Sequence, residues 1–471
     1  MNTTQVFPKT CIRSRQRRLV IGVLTLALFT PISVFARPCP QAGEASTGQT
    51  LDRGTKIRII DWIGSKLNEI YVFPDVASRC ESSLREQLAA GEYDTVSDIS
   101  DFTRRLTADL QEVSHDRHMS VRFASEPSLG VEPTDEAERK RLLDLRILNW
   151  RLDNFMFKEV KHLEGNVGYL RLDEFVDARY AGDTAVAAMN FLGNCDALII
   201  DLRYNGGGFG NMVGLLQGYL FDDEIHTCDL ENRSEGRTIQ AWTPAYVRGP
   251  RLNRTHVFVL TSERTFSAAE GFAYDLQSLG RATIVGETTR GGAHTISRQW
   301  NEELKIEFRV PDSRAVNPIT GTNWEGTGII PDVSCPAEQS YDKAYALALA
   351  KLYELADPAA GNVKAWLKGL LDYQQGIANP QPITAAEMDC YVGSYGPFRV
   401  IVEQEDLFVI DPNGEKNRLF FQGQDTFIIE GDKNMKIVFE RNASDEVEAV
   451  FPLFFDGSRG SRILKDRRLG E

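Results

Sequence analysis

A serine between a predicted strand and a predicted helix is the first candidate for chemistry. The apolar run His256–Leu260 predicts a strand, and the amphipathic run from Phe266 predicts a helix. Ser267 and Glu270 have the spacing of a capping box, and this spacing alone favours a structural role. The alternative is a nucleophile, because free N–H groups at a helix start, such as that of Ala268, can stabilise an oxyanion.

A glycine-rich loop after a second predicted strand is the next candidate. The apolar run in "LIIDLRYNGGGFGN" ends at Asp201, and Gly206, Gly207 and Gly208 follow. Glycines leave backbone amides unobstructed, so Gly206 or Gly207 can supply a second oxyanion donor. The alternative is an ordinary strand-to-helix turn. Phosphate binding is disfavoured, because the loop has neither GxGxxG nor GK[ST].

Two of the six histidines lie close together in "SHDRHMSVRF", as His115 and His118. Histidine is the most frequent general base near neutral pH, so either residue is a candidate base. The alternative is that both are surface or turn histidines. Metal binding is not indicated, because the pair lacks an HExxH context.

An acidic residue in a Gly/Pro-rich loop completes the set of candidates. Glu325 lies in "NPITGTNWEGTGIIPDV", between Trp324 and Gly326. Its carboxylate can orient a general base or bind a substrate amine. The alternative is a solvated loop carboxylate.

Taken together, these segments resemble one family of serine peptidases. The family includes the tail-specific (carboxyl-terminal processing) proteases, the tricorn core protease and interphotoreceptor retinoid-binding protein. The resemblance rests on "DLRYNGGG", "LTSERTFSAAEGFAYDLQSLGRATIVGETTRGGAH" and "NWEGTGIIPDV". The segments "EIYVFPDVA" and "LTADLQEVSHDRHMSVRF" are most similar to the retinoid-binding-protein branch. The fold that this implies is a crotonase-like ββα spiral.

The resemblance implies a role for each candidate. These roles are nucleophile for Ser267, general base for His118, acidic member of the catalytic set for Glu325, and oxyanion amides for Ala268 with Gly206 or Gly207. Neither a metal nor an organic cofactor is expected.

The chain departs from the processing proteases in its base. Those enzymes use a Ser–Lys dyad with the lysine in "G-x-x-T-x-G-K-G", whereas this chain has "GETTRGGA" with Gly292 at the lysine position. Arg290 is no substitute, because a guanidinium does not release its proton. A histidine base is therefore favoured. The tricorn-like set has a serine beside its histidine, a pair found here as Ser114-His115, so His115 is the alternative to His118.

Length and charge set the class of protein. At 471 residues the chain exceeds one ordinary core, so two or three domains are expected. The formal net charge of −14 argues against nucleic acid as a partner, since phosphate binding needs clustered Lys and Arg. Outside the first 36 residues lie six cysteines, which permit disulfides without fixing their pairing.

The N-terminus predicts a signal peptide over residues 1–36. A basic segment with four arginines precedes the apolar run Leu19–Phe29, and small residues at Val34-Phe35-Ala36 offer a cleavage point. The apolar run is too short to span a bilayer comfortably. We therefore expect an exported protein, periplasmic or extracellular, with no integral membrane segment once the signal is cleaved.

The pattern along the chain predicts a multidomain α/β protein. Helical spacing predicts an N-terminal helical domain over 51–125, and alternating strands and helices predict an α/β peptidase core over 140–355. About 45 residues separate His118 from "GNVGYLRL", too few for the PDZ module of the processing proteases. A linker after "YDKAYALALAKLYELA" is expected to lead to a small antiparallel β domain over 385–468.

The function expected from these observations is a secreted or periplasmic serine peptidase that forms an acyl-enzyme with a peptide or protein substrate. The alternative is a non-catalytic binding protein for apolar ligands on the same fold, as in the retinoid-binding branch.

Overall fold

The computed structural model describes residues 51–126, 136–359, 361–455 and 457–466. The predicted signal peptide and Cys39 lie outside these residues. The helices α1 to α10 are, in order, Arg53–Ile70, Pro74–Ala89, Ile99–Ser114, Glu136–Leu152, Ala178–Leu192, Gly210–Gly218, Ala268–Ser278, Ala337–Leu355, Gly361–Ala378 and Ala385–Tyr391. The strands β1 to β19 are, in order, Ser120–Phe123, Phe157–Leu163, Val167–Leu172, Ala197–Asp201, His226–Asn232, Arg237–Trp242, His256–Thr261, Ala282–Gly286, His294–Asn301, Ile306–Val316, Val333–Ser334, Gly393–Tyr395, Phe398–Glu403, Asp406–Ile410, Lys416–Gly423, Thr426–Ile429, Met435–Arg441, Val447–Phe454 and Ile463–Leu464.

A six-stranded sheet forms the centre of the protein, in the order β11-β8-β7-β4-β3-β2. Its strands are parallel except for β2, which pairs antiparallel with β3. Every residue of β4 is buried, as expected of an apolar run covered on both faces. The predicted alternation of strands and helices is confirmed. Because β4, β7 and β8 are parallel neighbours, the loops that follow them meet at one edge of the sheet.

A second sheet lies next to the predicted base, because its strand β1 begins two residues after His118. Its order is β1-β10-β5-β6, with β9 also paired to β10. The strands β9 and β10 form one antiparallel hairpin, and β5 and β6 form another. The predicted N-terminal helices are confirmed. Their apolar faces, including Ile60 and Leu106, share one core with Phe308 of β10.

A helical pair covers one face of the central sheet. Helix α8 packs against β7, β4 and β8, and α9 packs against α8. The linker predicted after α8 is therefore wrong over Gly361–Ala378, which is helical. The physical reason is that Leu367, Leu370 and Leu371 lie at helical spacing and bury themselves in the core that α8 shares with the sheet.

The C-terminal β domain is an up-and-down antiparallel sheet. Its eight strands follow one another in chain order from β12 to β19. The two edges approach each other, because Tyr395 of β12 forms a bridge with Lys465 and the N–H of Asp466 donates to the carbonyl of Ser394 at 2.8 Å. The sheet is thus nearly closed into a barrel, in agreement with the antiparallel domain predicted from the sequence.

The described cysteines are all unpaired, namely Cys80, Cys195, Cys228, Cys335 and Cys390. Within the described ranges, every helix is too short or too polar to cross a bilayer.

We expect Phe308→Ala to lower the free energy of unfolding by about 3–5 kcal/mol, because it leaves a cavity where the helices meet β10. Phe308 is fully buried, and its ring lies edge-on to that of Trp62 at 6.4 Å. Urea denaturation followed by circular dichroism measures the change. The matched control is Phe191→Ala, at a side chain 59% exposed, which should cost less than about 0.5 kcal/mol. Equal losses in the two variants would contradict the shared core.

Candidate active site

Ser267 lies in the turn between β7 and α7, as the N-cap residue of that helix. Its φ of 55° and ψ of −121° lie outside the regions that residues with a side chain favour. Such a conformation costs about 1–3 kcal/mol and persists only where the surrounding structure enforces it. Strain of this kind clusters at functional sites, which makes the turn a candidate for one.

Glu270 is the residue that holds this turn. Its side chain is fully buried. Oε2 accepts the N–H of Ser267 at 2.8 Å and that of Gly292 at 2.9 Å. Oε1 accepts the hydroxyl of Thr289 at 2.5 Å and the N–H of Gly291 at 2.6 Å. The Ser-x-x-Glu spacing therefore does more than begin a helix, because the same carboxylate fixes the loop after β8 beside the candidate nucleophile.

The glycine loop after β4 packs directly on Ser267. A Cβ added to Gly207 would lie 2.8 Å from the Cβ of Ser267 and 3.0 Å from the amide nitrogen of Ala268, so this approach requires glycine. The N–H of Gly207 itself donates to the side-chain oxygen of Asn205 at 2.8 Å. Of the two glycines predicted as oxyanion donors, Gly206 is therefore the better candidate.

The His118 ring lies against the residue that precedes the serine. It stacks on Phe266 with ring centroids 4.5 Å apart and an interplanar angle of 30°. The guanidinium of Arg290 lies 4.9 Å from the centroid of the same phenyl ring. Arg117 donates to the carbonyl of Arg290 at 2.6 Å, which ties the histidine loop to the loop after β8. The two loops thus bring an imidazole to the serine turn.

Both ring nitrogens of His118 are buried and have no hydrogen-bond partner among the described residues. Burial lowers the pKa of His118 to about 4, with the charges of His294 and Arg290 acting in the same direction and that of Asp116 opposing them. The imidazole is therefore neutral at pH 7 and can accept a proton. Its backbone N–H donates to Asp116 at 3.0 Å.

A second histidine forms an acid–base cluster beside the first. Nδ1 of His294 donates to Oδ2 of Asp116 at 2.6 Å and lies 3.5 Å from Oε2 of Glu325. Asp116 also accepts the hydroxyl of Tyr71 at 3.3 Å. Glu325 accepts the N–H of Ala293 at 2.5 Å, while its Oε1 is buried without a partner among the described residues.

The charges in this cluster are held by their neighbours. Burial raises the pKa of Glu325 to about 7, and the Asp116 carboxylate adds to the rise while His294 opposes it. Burial alone would lower the pKa of His294, but the hydrogen bond and charge of Asp116 outweigh it, so this pKa is raised. His294 is thus stabilised as an imidazolium between two carboxyl groups.

The same three residues are also the described set that could hold a metal ion. Ligand atoms of Asp116, His294 and Glu325 all lie within 4.8 Å of one another. The 2.6 Å contact between Nδ1 of His294 and Asp116 is a charge-assisted hydrogen bond in length and places a proton on that nitrogen. We therefore interpret the cluster as an acid–base group held together by the proton on Nδ1 of His294, in preference to a metal site.

The structure brings together most of the residues singled out in the sequence. Ser267, Ala268 and Gly207 are in contact, and His118 lies against Phe266 of the same turn. Among the described hydrogen bonds, none joins His118 to Ser267 or to Glu325. His115 is exposed and forms the left-handed end of α3, with a φ of 56°.

Three residues of the site were not singled out in the sequence. The spacing of Glu270 indicates only a helix cap, and neither Asp116 nor His294 is among the predicted site residues. A signal for Asp116 was present in the Asp-x-His pattern. His294 directly follows "TTRGGA". No local periodicity links it to Asp116, because the two residues are 178 positions apart.

Gly292, at the predicted lysine position, packs directly against two aromatic rings. A Cβ added there would lie 2.2 Å from Cε2 of Phe266 and 2.6 Å from Cε1 of His118. The volume that a side chain at position 292 would need is thus occupied by the stacked rings. A residue with a side chain at position 292 would therefore require one of the two rings to move.

Comparison with known proteins gives two family matches. Residues 166–335 match peptidase family S41. Residues 53–146 match the N-terminal domain of peptidase family S41 in eukaryotic IRBP. A carboxy-terminal-processing protease of Bartonella bacilliformis is 27% identical over 199 residues, which are 41% of this chain and 43% of the relative. The chain thus matches less than half the length of this curated relative.

Solved structures to which the chain is similar include mature CPAF and a processing protease. Mature CPAF is 14% identical with a TM-score of 0.44, over 64% of this chain and 96% of that one. The photosystem II D1 C-terminal processing protease is 16% identical with a TM-score of 0.36, over 60% of this chain and 94% of that one.

We expect Asp116→Asn to lower the pKa of His294, since the hydrogen bond and charge of Asp116 are lost and only Glu325 then opposes the effect of burial. In the wild type the raised pKa adds stability that is complete below the unfolded-state pKa of about 6.5 and is lost as pH rises through the folded-state value. The variant should lose this contribution. NMR titration of the imidazoles measures the change, with His256, outside the cluster, as internal control. An unchanged His294 titration would contradict the assignment.

Proposed function

Because this chain carries the peptidase domain of family S41 together with the N-terminal domain described for that family, we propose that it is a serine peptidase with Ser267 as nucleophile. The observation that carries the proposal is the strained turn at Ser267, packed on Gly207 and flanked by a neutral, buried imidazole. This arrangement suits acyl transfer, which needs a hydroxyl, a proton acceptor and amides that face a developing oxyanion.

In the proposed reaction, a nitrogen of His118 takes the hydroxyl proton of Ser267 as Oγ attacks the carbonyl carbon of a peptide. The amides of Ala268 and Gly206 hold the oxyanion. As the C–N bond breaks, the imidazolium returns the proton to the leaving amine. Water then attacks the acyl-enzyme with His118 again as the base, and the acid product leaves with Ser267 restored.

No hydrogen bond joins His118 to Ser267 among the described residues, so the proposed proton transfer requires the two side chains to come together. A movement of the imidazole away from Phe266 would forfeit an aromatic contact but no hydrogen bond, because both ring nitrogens lack partners among the described residues. A base with a pKa of about 4 is weak. A hydrogen bond from its second nitrogen to the unpartnered Oε1 of Glu325 would raise this pKa toward the working pH.

The proposed location is outside the cytoplasm, periplasmic or extracellular. The support is the basic segment, apolar run and small-residue cleavage point within residues 1–36. The proposed substrate is a peptide or protein, in keeping with the family.

We expect Ser267→Ala to lower kcat/KM for peptide hydrolysis by about 10⁴-fold or more, since the nucleophile is lost. A fluorophosphonate should label Ser267 in the wild type, and peptide mass spectrometry locates the adduct. The control is Ser278→Ala at the other end of α7, which should retain labelling and activity. A protein that binds apolar ligands without catalysis would remain unlabelled, and that result would overturn the proposal.

The two histidines make a second test. His118→Ala should reduce turnover by about 10³-fold or more, because it removes the proton acceptor. His115→Ala should leave turnover within about twofold, since His115 is exposed at the end of α3. Circular dichroism verifies that both variants fold. The reverse pattern of losses would move the role of base to His115.

A further inference from the structure

The C-terminal β domain encloses a cavity. The cavity has a volume of about 470 Å³ and is lined by side chains from successive strands of the barrel. Most of its lining residues are apolar, including the buried Val400, Val409, Ile437 and Val450. Ligand sites in proteins are commonly concave, largely apolar and of this size.

The barrel is filled and closed at one end. Tyr391, Phe427 and Phe439 pack with ring centroids 4.9–5.5 Å apart. Beside them, Asp425 accepts the hydroxyl of Tyr391 at 2.6 Å and the Nε of Arg441 at 3.0 Å. The connections at this end, such as the one that holds Asp425, do not line the cavity.

The opposite end is the mouth of the cavity. In an up-and-down sheet, alternate connections lie at the same end. The β14–β15 and β16–β17 connections therefore share an end, and both contribute lining residues. These lining residues include four carboxylates, Asp411, Glu415, Glu430 and Asp432.

None of the four carboxylates at the mouth has a salt bridge to a described lysine or arginine. Asp411 and Asp432 accept backbone hydrogen bonds within their own turns, which leaves their charge without a cationic partner. The basic residues nearest to them in sequence form salt bridges with other carboxylates, in the pairs Lys416–Glu403, Arg418–Asp406 and Lys433–Glu164. A cationic group at the mouth would gain Coulomb energy that no protein side chain supplies.

From the apolar cavity and its carboxylate mouth, we propose that the C-terminal β domain binds a small amphiphile with an alkyl body and an ammonium head group. The alkyl body lies among the valines and isoleucine of the barrel, where it leaves water. The ammonium group lies at the mouth among the four carboxylates. The site is separate from the serine turn and does not depend on the proposed peptidase reaction.

Isothermal titration of the full chain with decylammonium and with decanoate tests the proposal. The two probes have the same chain length and opposite charge at neutral pH. We expect saturable binding of decylammonium at one site, about tenfold or more tighter than decanoate, because several carboxylates each contribute a modest attraction. Equal affinities, or no saturable binding, would overturn the proposal.

Variants locate the site. The mouth variant combines Asp411→Asn, Glu415→Gln, Glu430→Gln and Asp432→Asn, and it should lose the preference for decylammonium. The matched control removes four exposed carboxylates elsewhere through Glu86→Gln, Glu92→Gln, Glu112→Gln and Asp183→Asn. It should bind like the wild type, whereas an equal loss in both variants would show unspecific attraction to an acidic protein and overturn the site.

A substitution that fills the cavity with a larger side chain gives an independent check. Val409→Trp should abolish binding of decylammonium, with thermal unfolding used to verify the fold. If this variant does not fold, the mouth variant and its control decide the question alone. Ser267→Ala should bind decylammonium with unchanged affinity. A loss there would place the probe at the serine turn and overturn the barrel site, whether or not the peptidase assignment stands.

Discussion

The site depends on one buried carboxylate. Glu270 accepts four hydrogen bonds, from Ser267, Thr289, Gly291 and Gly292. A carboxylate removed from water is tolerated only when such donors replace its hydration. Because three of the donors belong to the loop after β8, the bonds that keep Glu270 buried also set where that loop runs. The loop leads directly to His294 and lies against Glu325, so the acid–base cluster takes its position from the same carboxylate.

The candidate site is assembled from two sheets. The serine turn and the glycine loop lie at the carboxyl edge of the central sheet, and His118 lies just before β1 of the other sheet. The loop that carries His118 is joined to the segment after β8 by the bond from Arg117 to the carbonyl of Arg290 and by the bond from His294 to Asp116. The position of the imidazole relative to the hydroxyl therefore depends on how the second sheet is held against the central one.

Much of the fold can be predicted from local sequence patterns. The strand–turn–helix at Ser267 and the C-terminal antiparallel β domain follow from periodicity, which acts over a few residues. Two kinds of feature were beyond that reach. One is long-range pairing, such as Asp116 with His294, which no spacing in the sequence encodes. The other is side-chain placement. A histidine at position 118 indicates a base, but the sequence does not show that its ring stacks on Phe266 and leaves both nitrogens without a described partner. Helix α9 was missed because its glycines suggested a linker, although its leucines are buried.

The close approach at Gly292 has an evolutionary consequence. Since the rings of His118 and Phe266 fill the space beside its α-carbon, any residue other than glycine at position 292 would require one of these rings to move. Replacement of Gly292 is therefore coupled to positions 118 and 266, and the three residues constrain one another's substitution.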